Sequence, residues 1–220
     1  MKNEAPILLV FEGPSGTGKT TLQHHLGQYL QHKNLKIKIL PEFSTSPLGR
    51  IIAQYSKFGH ELPFFLRGLN GALAYLSDKL YLLEKNLSSA NEILILDRFI
   101  LSQWILGSYF IKDEHSKQVL QQIIMQTKKW IEANFSQKSV IILLQSSSES
   151  LVARLEKREE FILDSENKAF LQQNVSDYNN FDYNLFEWNK LYLNSERPLP
   201  ETLENLIHDI DKLLHQVNHD

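Results

Sequence analysis

The octapeptide Gly13-Pro14-Ser15-Gly16-Thr17-Gly18-Lys19-Thr20 satisfies the pattern G-x-x-x-x-G-K-[ST] at every fixed position. The apolar run Ile7-Leu8-Leu9-Val10-Phe11 before it reads as a buried strand, and Thr21 to Gln31 after it has the composition of a helix. A glycine-rich turn between strand and helix points successive N–H groups inward, a nest for phosphate oxygens at a helix N-terminus. Gly13 through Thr21 are therefore expected to hold a nucleoside triphosphate. Lys19 would reach its β- and γ-phosphates and the Thr20 hydroxyl would hold Mg²⁺.

Outward from the loop, short β-type runs alternate with longer helical ones. Leu35 to Leu40 alternates with period two and ends at Pro41, as a strand would. Residues 66–87 carry leucines at three- and four-residue spacing, the signature of a long helix. Ile93-Leu94-Ile95-Leu96 is a buried strand closed by Asp97, and residues 114–135 form another amphipathic helix. A strand at Val140–Leu144, helices at Ser150–Arg158 and Lys168–Tyr178, a short strand at Leu191–Leu193 and a helix at Thr202–Val217 complete the chain. Strands of unbroken hydrophobicity between helices imply a parallel sheet covered on both faces. The expected fold is α/β, a three-layer α/β/α arrangement of the P-loop NTPase type around a five-stranded parallel sheet. Residues 1–220 are expected to form one domain, with a lid at about 158–168.

In such sheets the ligand lies beyond the carboxyl ends of the strands, which directs attention to the residues there. Asp97 can hold Mg²⁺ through water or take a proton, or else cap the next helix. Arg98 can clamp a phosphate in bidentate fashion, or pair with a neighbouring acid. Glu42 could act as general base or orient an acceptor; a solvated loop acid is the competing reading. Tyr75 and Lys79, four apart on one helical face, could sandwich and read a base, or be a core tyrosine beside a surface lysine. Arg154, Lys157 and Arg158 suit a lid closing over transferring phosphates, or a charge-paired solvent face. The pair His24-His25 lacks metal-ligand spacing.

Bulk properties narrow the partners. Hydrophobic residues are 42% and charged residues 22% of 220, an ordinary globular balance. A net charge of −3 offers no general attraction to a polynucleotide. With no cysteine there are no disulfides, and no run approaches a membrane span. The first strand begins too near Met1 for a signal peptide, so the expected location is cytoplasmic.

Taken together these segments resemble the thymidylate kinase family over nearly the whole chain. The opening FEGPSGTGKTT is similar to the family's FEG-x-D-G-x-G-K-[ST]-T; LPEFSTSPLGR carries the strand-end Glu42. Asp97-Arg98-Phe99-Ile100-Leu101-Ser102 matches DRY-x-x-S, ILLQSSSESLVARLEKR matches the strand and basic helix, and FLQQNVSDY ends in Tyr178. The resemblance implies transfer of the γ-phosphoryl of ATP to dTMP with Mg²⁺, in a homodimer. It implies catalytic roles for Lys19, Asp97, Arg98, Glu42 and Arg158, and a contact from Arg154 to the donor nucleotide. Acceptor contacts would come from Glu42, Arg50, Arg67, Tyr75, Lys79, Arg98, Ser102 and Tyr178.

The departures bear on activity. The family's loop Asp is Ser15 here, and the arginine expected beside the strand-two Glu is absent, since Pro41 and Phe43 flank Glu42. Tyr75 and Lys79 replace the base-reading Phe and Arg, Ser165 falls near where a lid arginine is expected, and Thr17 is neutral. Unless Lys157 or Arg158 substitutes, turnover on dTMP is expected to be slow. A deoxynucleoside kinase, which phosphorylates an uncharged 5′-hydroxyl, is the alternative. A nucleotide-binding regulator without catalysis is a third reading, opposed by the retention of Lys19, Thr20, Asp97 and Arg98.

Overall fold

The computed structural model describes residues 5–56, 66–87, 93–157 and 165–215. Arg158 and most of the expected lid, residues 158–164, lie outside the described residues. The chain runs β1 (Ile7–Glu12), α1 (Lys19–His32), β2 (Ile37–Ile39), α2 (Pro47–Ser56), α3 (Gly68–Leu87), β3 (Ile93–Asp97) and α4 (Ile100–Phe110). It continues through α5 (Glu114–Asn134), β4 (Val140–Gln145), α6 (Ser148–Glu156), α7 (Ser165–Asn180), β5 (Asn189–Asn194) and α8 (Leu199–His215). All strand pairs are parallel and the order is β2-β3-β1-β4-β5, as the expected five-stranded sheet requires.

Alternation along each strand divides the core. Leu8 and Val10 of β1 pack with Leu94, Leu96, Ile141 and Leu143 against α3, α4 and α5. Leu9 and Phe11 point the other way, joining Ile95, Ile142 and Leu144 against Leu26 of α1 and Leu206 of α8. Phe11 is fully buried, so truncating it to Ala should cost about 3–5 kcal/mol. β1 lies between β3 and β4; the connection from β1 passes over β3 to reach β2, and the connection from β3 passes over β1 to reach β4, so the two crossovers run in opposite directions. The crevice this opens lies over the carboxyl end of β1, where Glu12 and Gly13 sit beside Asp97 and Arg98.

Two helices have no counterpart in the sequence reading. α2 is short, but it carries a local start signal: Pro47 occupies its first turn and the Ser46 hydroxyl accepts from the Gly49 N–H at 3.0 Å. α4 reads Ile-Leu-Ser-Gln-Trp-Ile-Leu-Gly-Ser-Tyr-Phe and is apolar on most sides, because it packs against α3, α5 and α7. A helix surrounded in this way shows no 3.6-residue stripe.

Candidate active site

The loop after β1 folds as its glycines demand. Gly13 has φ +141°, and a Cβ there would meet the Leu144 carbonyl oxygen at 2.5 Å, so no other residue fits. Gly18, at φ +87°, precedes the first turn of α1. Lys19 is buried, its Nζ donating to the carbonyls of Gly13 at 3.0 Å and Pro14 at 2.9 Å. The Thr17 hydroxyl also donates to the Pro14 carbonyl, at 2.9 Å, which closes the loop on itself. Burial first, and the neighbouring Arg98 guanidinium second, push the Lys19 ammonium down to about 7, against the opposing pull of Asp97, Glu12 and Glu42. Lys19 is thus an ammonium group short of negative partners, as a phosphate site requires.

Asp97 ends β3 opposite Phe11 of β1. Its Oδ2 accepts weakly from the Thr20 hydroxyl at 3.5 Å, and its Oδ1 is buried with no hydrogen-bond partner. A hydroxyl and a carboxylate oxygen converging beside a phosphate loop are hard oxygen donors of the kind Mg²⁺ takes. An orphaned carboxylate oxygen is otherwise costly to bury, so these residues fit the metal.

Arg98 follows in the left-handed region, at φ +56°. Its N–H donates to the Phe11 carbonyl at 2.9 Å. Its Nη2 donates to the Ser15 hydroxyl at 3.1 Å, and its Nη1 to the hydroxyls of Ser102 and Tyr178, both at 3.3 Å. The guanidinium is therefore aimed at the loop.

A cavity of about 250 Å³ opens beside Arg98, walled by Phe43, Tyr75, Leu106, Phe110 and Phe170. Ser15, Glu42 and Lys79 also line it. Lys79 is a correction to the surface reading: it is buried, and its Nζ donates to the carbonyls of Glu42 at 2.6 Å and Asp97 at 2.7 Å. Glu42 lies beyond β2, which stops at Ile39 rather than running to the expected strand end, and two of an ammonium's three donors are thereby committed to joining this segment to the end of β3. Burial pushes its pKa down and that of Tyr75 up. Neighbouring Asp78 is buried and accepts from the Ser44 N–H at 2.9 Å and from the Ser44 hydroxyl, fixing the loop that carries Glu42.

The other expected acceptor contacts separate. Ser102 and Tyr178 are buried behind Arg98, bonded to each other at 2.7 Å, rather than open to the cavity. Arg50 is exposed on α2, and Arg67 is exposed just before α3; neither lines the cavity. Arg154, on α6, donates to the Ser195 carbonyl on the far side of the loop, beyond β4. The aromatic group of Phe181, Tyr183, Phe186 and Trp188 packs with Trp104 of α4 against the core.

Three residues in or beside the site went unassigned in the sequence. Glu12 is fully buried, and burial pushes its carboxyl above the usual range against hydrogen bonds from Ser102 and Phe99. Gln103 is 7% and Asn174 5% exposed, and both line the cavity. Among the described residues neither amide has a hydrogen-bond partner, so both are left to serve whatever occupies the cavity. Gln103 directly follows the DRF-x-x-S segment, a positional signal; Asn174 offers none.

A thymidylate kinase family model matches residues 11–207. A probable thymidylate kinase of Sulfurisphaera tokodaii is 24% identical over 159 residues, which cover 71% of this chain and 72% of that protein. A thymidylate kinase of Leptospira interrogans is 27% identical over 164 residues, covering 73% and 74% respectively. Deoxyadenosine kinase from M. mycoides, solved with bound dATP, superposes with a TM-score of 0.63 at 17% identity over 93% of this chain and 100% of its own. That last likeness is one of fold. Among the described residues, no helix is long and apolar enough to cross a membrane.

Proposed function

The chain belongs to the thymidylate kinase family, a family of nucleoside monophosphate kinases, and from that premise we propose that it transfers the γ-phosphoryl of ATP to the 5′-phosphate of dTMP. The observation that carries the reading is the convergence of Lys19, Thr20, Asp97 and Arg98 about the phosphate loop, with Arg98 also lining a cavity that has aromatic walls. Lys19 would leave its loop carbonyls for the β- and γ-phosphates, held in place by the loop N–H groups. Thr20 and Asp97 would hold Mg²⁺, which neutralises charge on the transferring group. Arg98 faces the space between loop and cavity, where donor and acceptor phosphates would meet, and donors fixed in advance stabilise charge with little reorganisation. A monophosphate oxygen is already anionic near neutral pH, so no base is required of the protein.

Tyr75 and Phe43 supply a wall for the base, and the amides of Gln103 and Asn174 supply donors and acceptors for its edge. A homodimer belongs to the same proposal, supported by the groove that Leu80, Ile123 and Trp130 form between α3 and α5. Two observations favour the alternative of a nucleoside acceptor. Glu42 lines the cavity, where it could deprotonate a 5′-hydroxyl, and Arg98 is the one arginine among the described lining residues. ADP release measured against each deoxynucleoside and each monophosphate separates the readings. The expected result is that dTMP is the best acceptor; selective turnover of an unphosphorylated nucleoside would transfer the assignment to the alternative.

A further inference from the structure

We propose that Glu12 is the positioning residue of this site: through a layer of hydroxyls it aims the Arg98 guanidinium without neutralising it, and it joins that guanidinium to α7. Glu12 ends β1 one residue before the loop begins, and it is wholly enclosed. Its Oε1 accepts from the N–H groups of Phe99 at 2.7 Å and Ser102 at 3.3 Å, the opening turn of α4. Its Oε2 accepts from the Ser102 hydroxyl, while the Tyr178 hydroxyl shares its one proton between Ser102 Oγ at 2.7 Å and that same Oε2 at 3.3 Å. Those same two hydroxyl oxygens accept from Nη1 of Arg98.

The carboxylate and the guanidinium therefore share partners and do not form an ion pair: among the described residues no salt bridge links them. A direct Arg–carboxylate fork would orient Arg98 more strongly but would cancel much of its charge. One intervening hydroxyl layer keeps the direction and leaves the cation for an anionic ligand. The two amide bonds fix the turn in which Arg98 takes φ +56°, a backbone conformation that a non-glycine residue holds only when its surroundings impose it. Tyr178 belongs to α7, so the hydroxyl layer also makes the direction of Arg98 depend on where that helix sits. A simple helix cap would explain the bonds to Phe99 and Ser102 N–H. It does not explain the second oxygen, spent entirely on the hydroxyls that hold Arg98.

The catalytic consequence rests on the kinase reading above; the geometric one does not, and the test reads each separately. Side-chain ¹H–¹⁵N spectra of the intact protein report the Arg98 Nε–H, assigned by its loss in Arg98→Lys. Glu12→Gln and Tyr178→Phe are then compared with the parent; the second removes a single hydroxyl and guards against a folding defect in the first. A dispersed, slowly exchanging Arg98 signal should move to the averaged position of free arginine in both variants. In parallel, kcat with the best acceptor of the panel should fall about tenfold or more, while the KM for ATP stays within about threefold. An Arg98 signal that does not change in either variant overturns the proposal, as does turnover within about twofold of the parent. If the parent turns over no acceptor, the kinase reading fails by itself and the spectra alone decide the position of Arg98.

Discussion

Around the phosphate loop, the groups of the proposed donor site come from one unbroken run, Gly13 to Thr20, joined by Asp97 and Arg98 at a neighbouring strand end. Around the cavity proposed for the acceptor they come mainly from the segment after β2 and from α3, α4 and α7, as single side chains far apart in sequence. The first region is made largely of main-chain amides, whose directions follow from glycine geometry. The second is made of side chains whose directions follow from packing. Backbone recognition of phosphate serves any nucleotide, whereas recognition of one acceptor needs particular side chains, and these are replaceable one by one.

The sharpest way to break this contrast is at its most rigid point. Lys19→Ala should lower kcat by about 10³-fold or more in a protein that still folds, as its circular dichroism would show, since it removes the side-chain cation enclosed by the loop. Activity near that of the parent would mean that the loop binds without taking part. Asp97→Asn should cost roughly 10²-fold in kcat and raise the Mg²⁺ concentration needed for half-maximal rate, because an amide is a weaker ligand for a hard cation. A metal titration of both proteins checks it.

The next effect is one of pH. With its pKa pushed down to about 7 by burial, Lys19 of the ligand-free protein should lose its charge as the pH rises through that value. Phosphate requires the charged form, so nucleotide binding at higher pH must take up a proton. The Kd for ATP should rise by up to about tenfold per unit above pH 7, with proton uptake visible by calorimetry in buffers of different ionisation enthalpy. The unfolded chain keeps this proton to roughly pH 10, so the stability of the empty protein should rise with pH over the same interval. The smallest effects belong to the acceptor side. Gln103→Leu and Asn174→Leu should each raise the acceptor KM about five- to tenfold, leaving the KM for ATP unchanged, the loss expected of one hydrogen bond. A matching rise in the KM for ATP would show that the two regions are not separable.

The same contrast explains what the sequence revealed. The inner strands β1, β3 and β4 are legible because both faces are covered and the apolar runs are unbroken, β2 because it alternates, and the loop because its chemistry is contiguous. α4 was hidden by being apolar nearly all round, and with it went the sense that Ser102 points inward to Glu12 rather than out to a ligand. Lys79 looked like a surface residue because four-residue spacing cannot reveal that two main-chain carbonyls wait beside the helix. Gln103 has only its place after DRF-x-x-S to mark it and Asn174 has no pattern at all; the absence of partners among the described residues, visible in three dimensions, singles them out. The left-handed backbone at Arg98 is equally silent, since it is imposed by Glu12 from another strand.

The ammonium of Lys79, fastened to the carbonyls of Glu42 and Asp97, also limits how this protein can change over generations. Any mutation there loosens the segment bearing Glu42 and the strand end bearing Asp97 together, so a lineage cannot alter that position to try a new acceptor while keeping the old reaction. Adaptation to a different base has to proceed through neighbours with no such double attachment, and the amides of α4 and α7 are the places where it is free to begin.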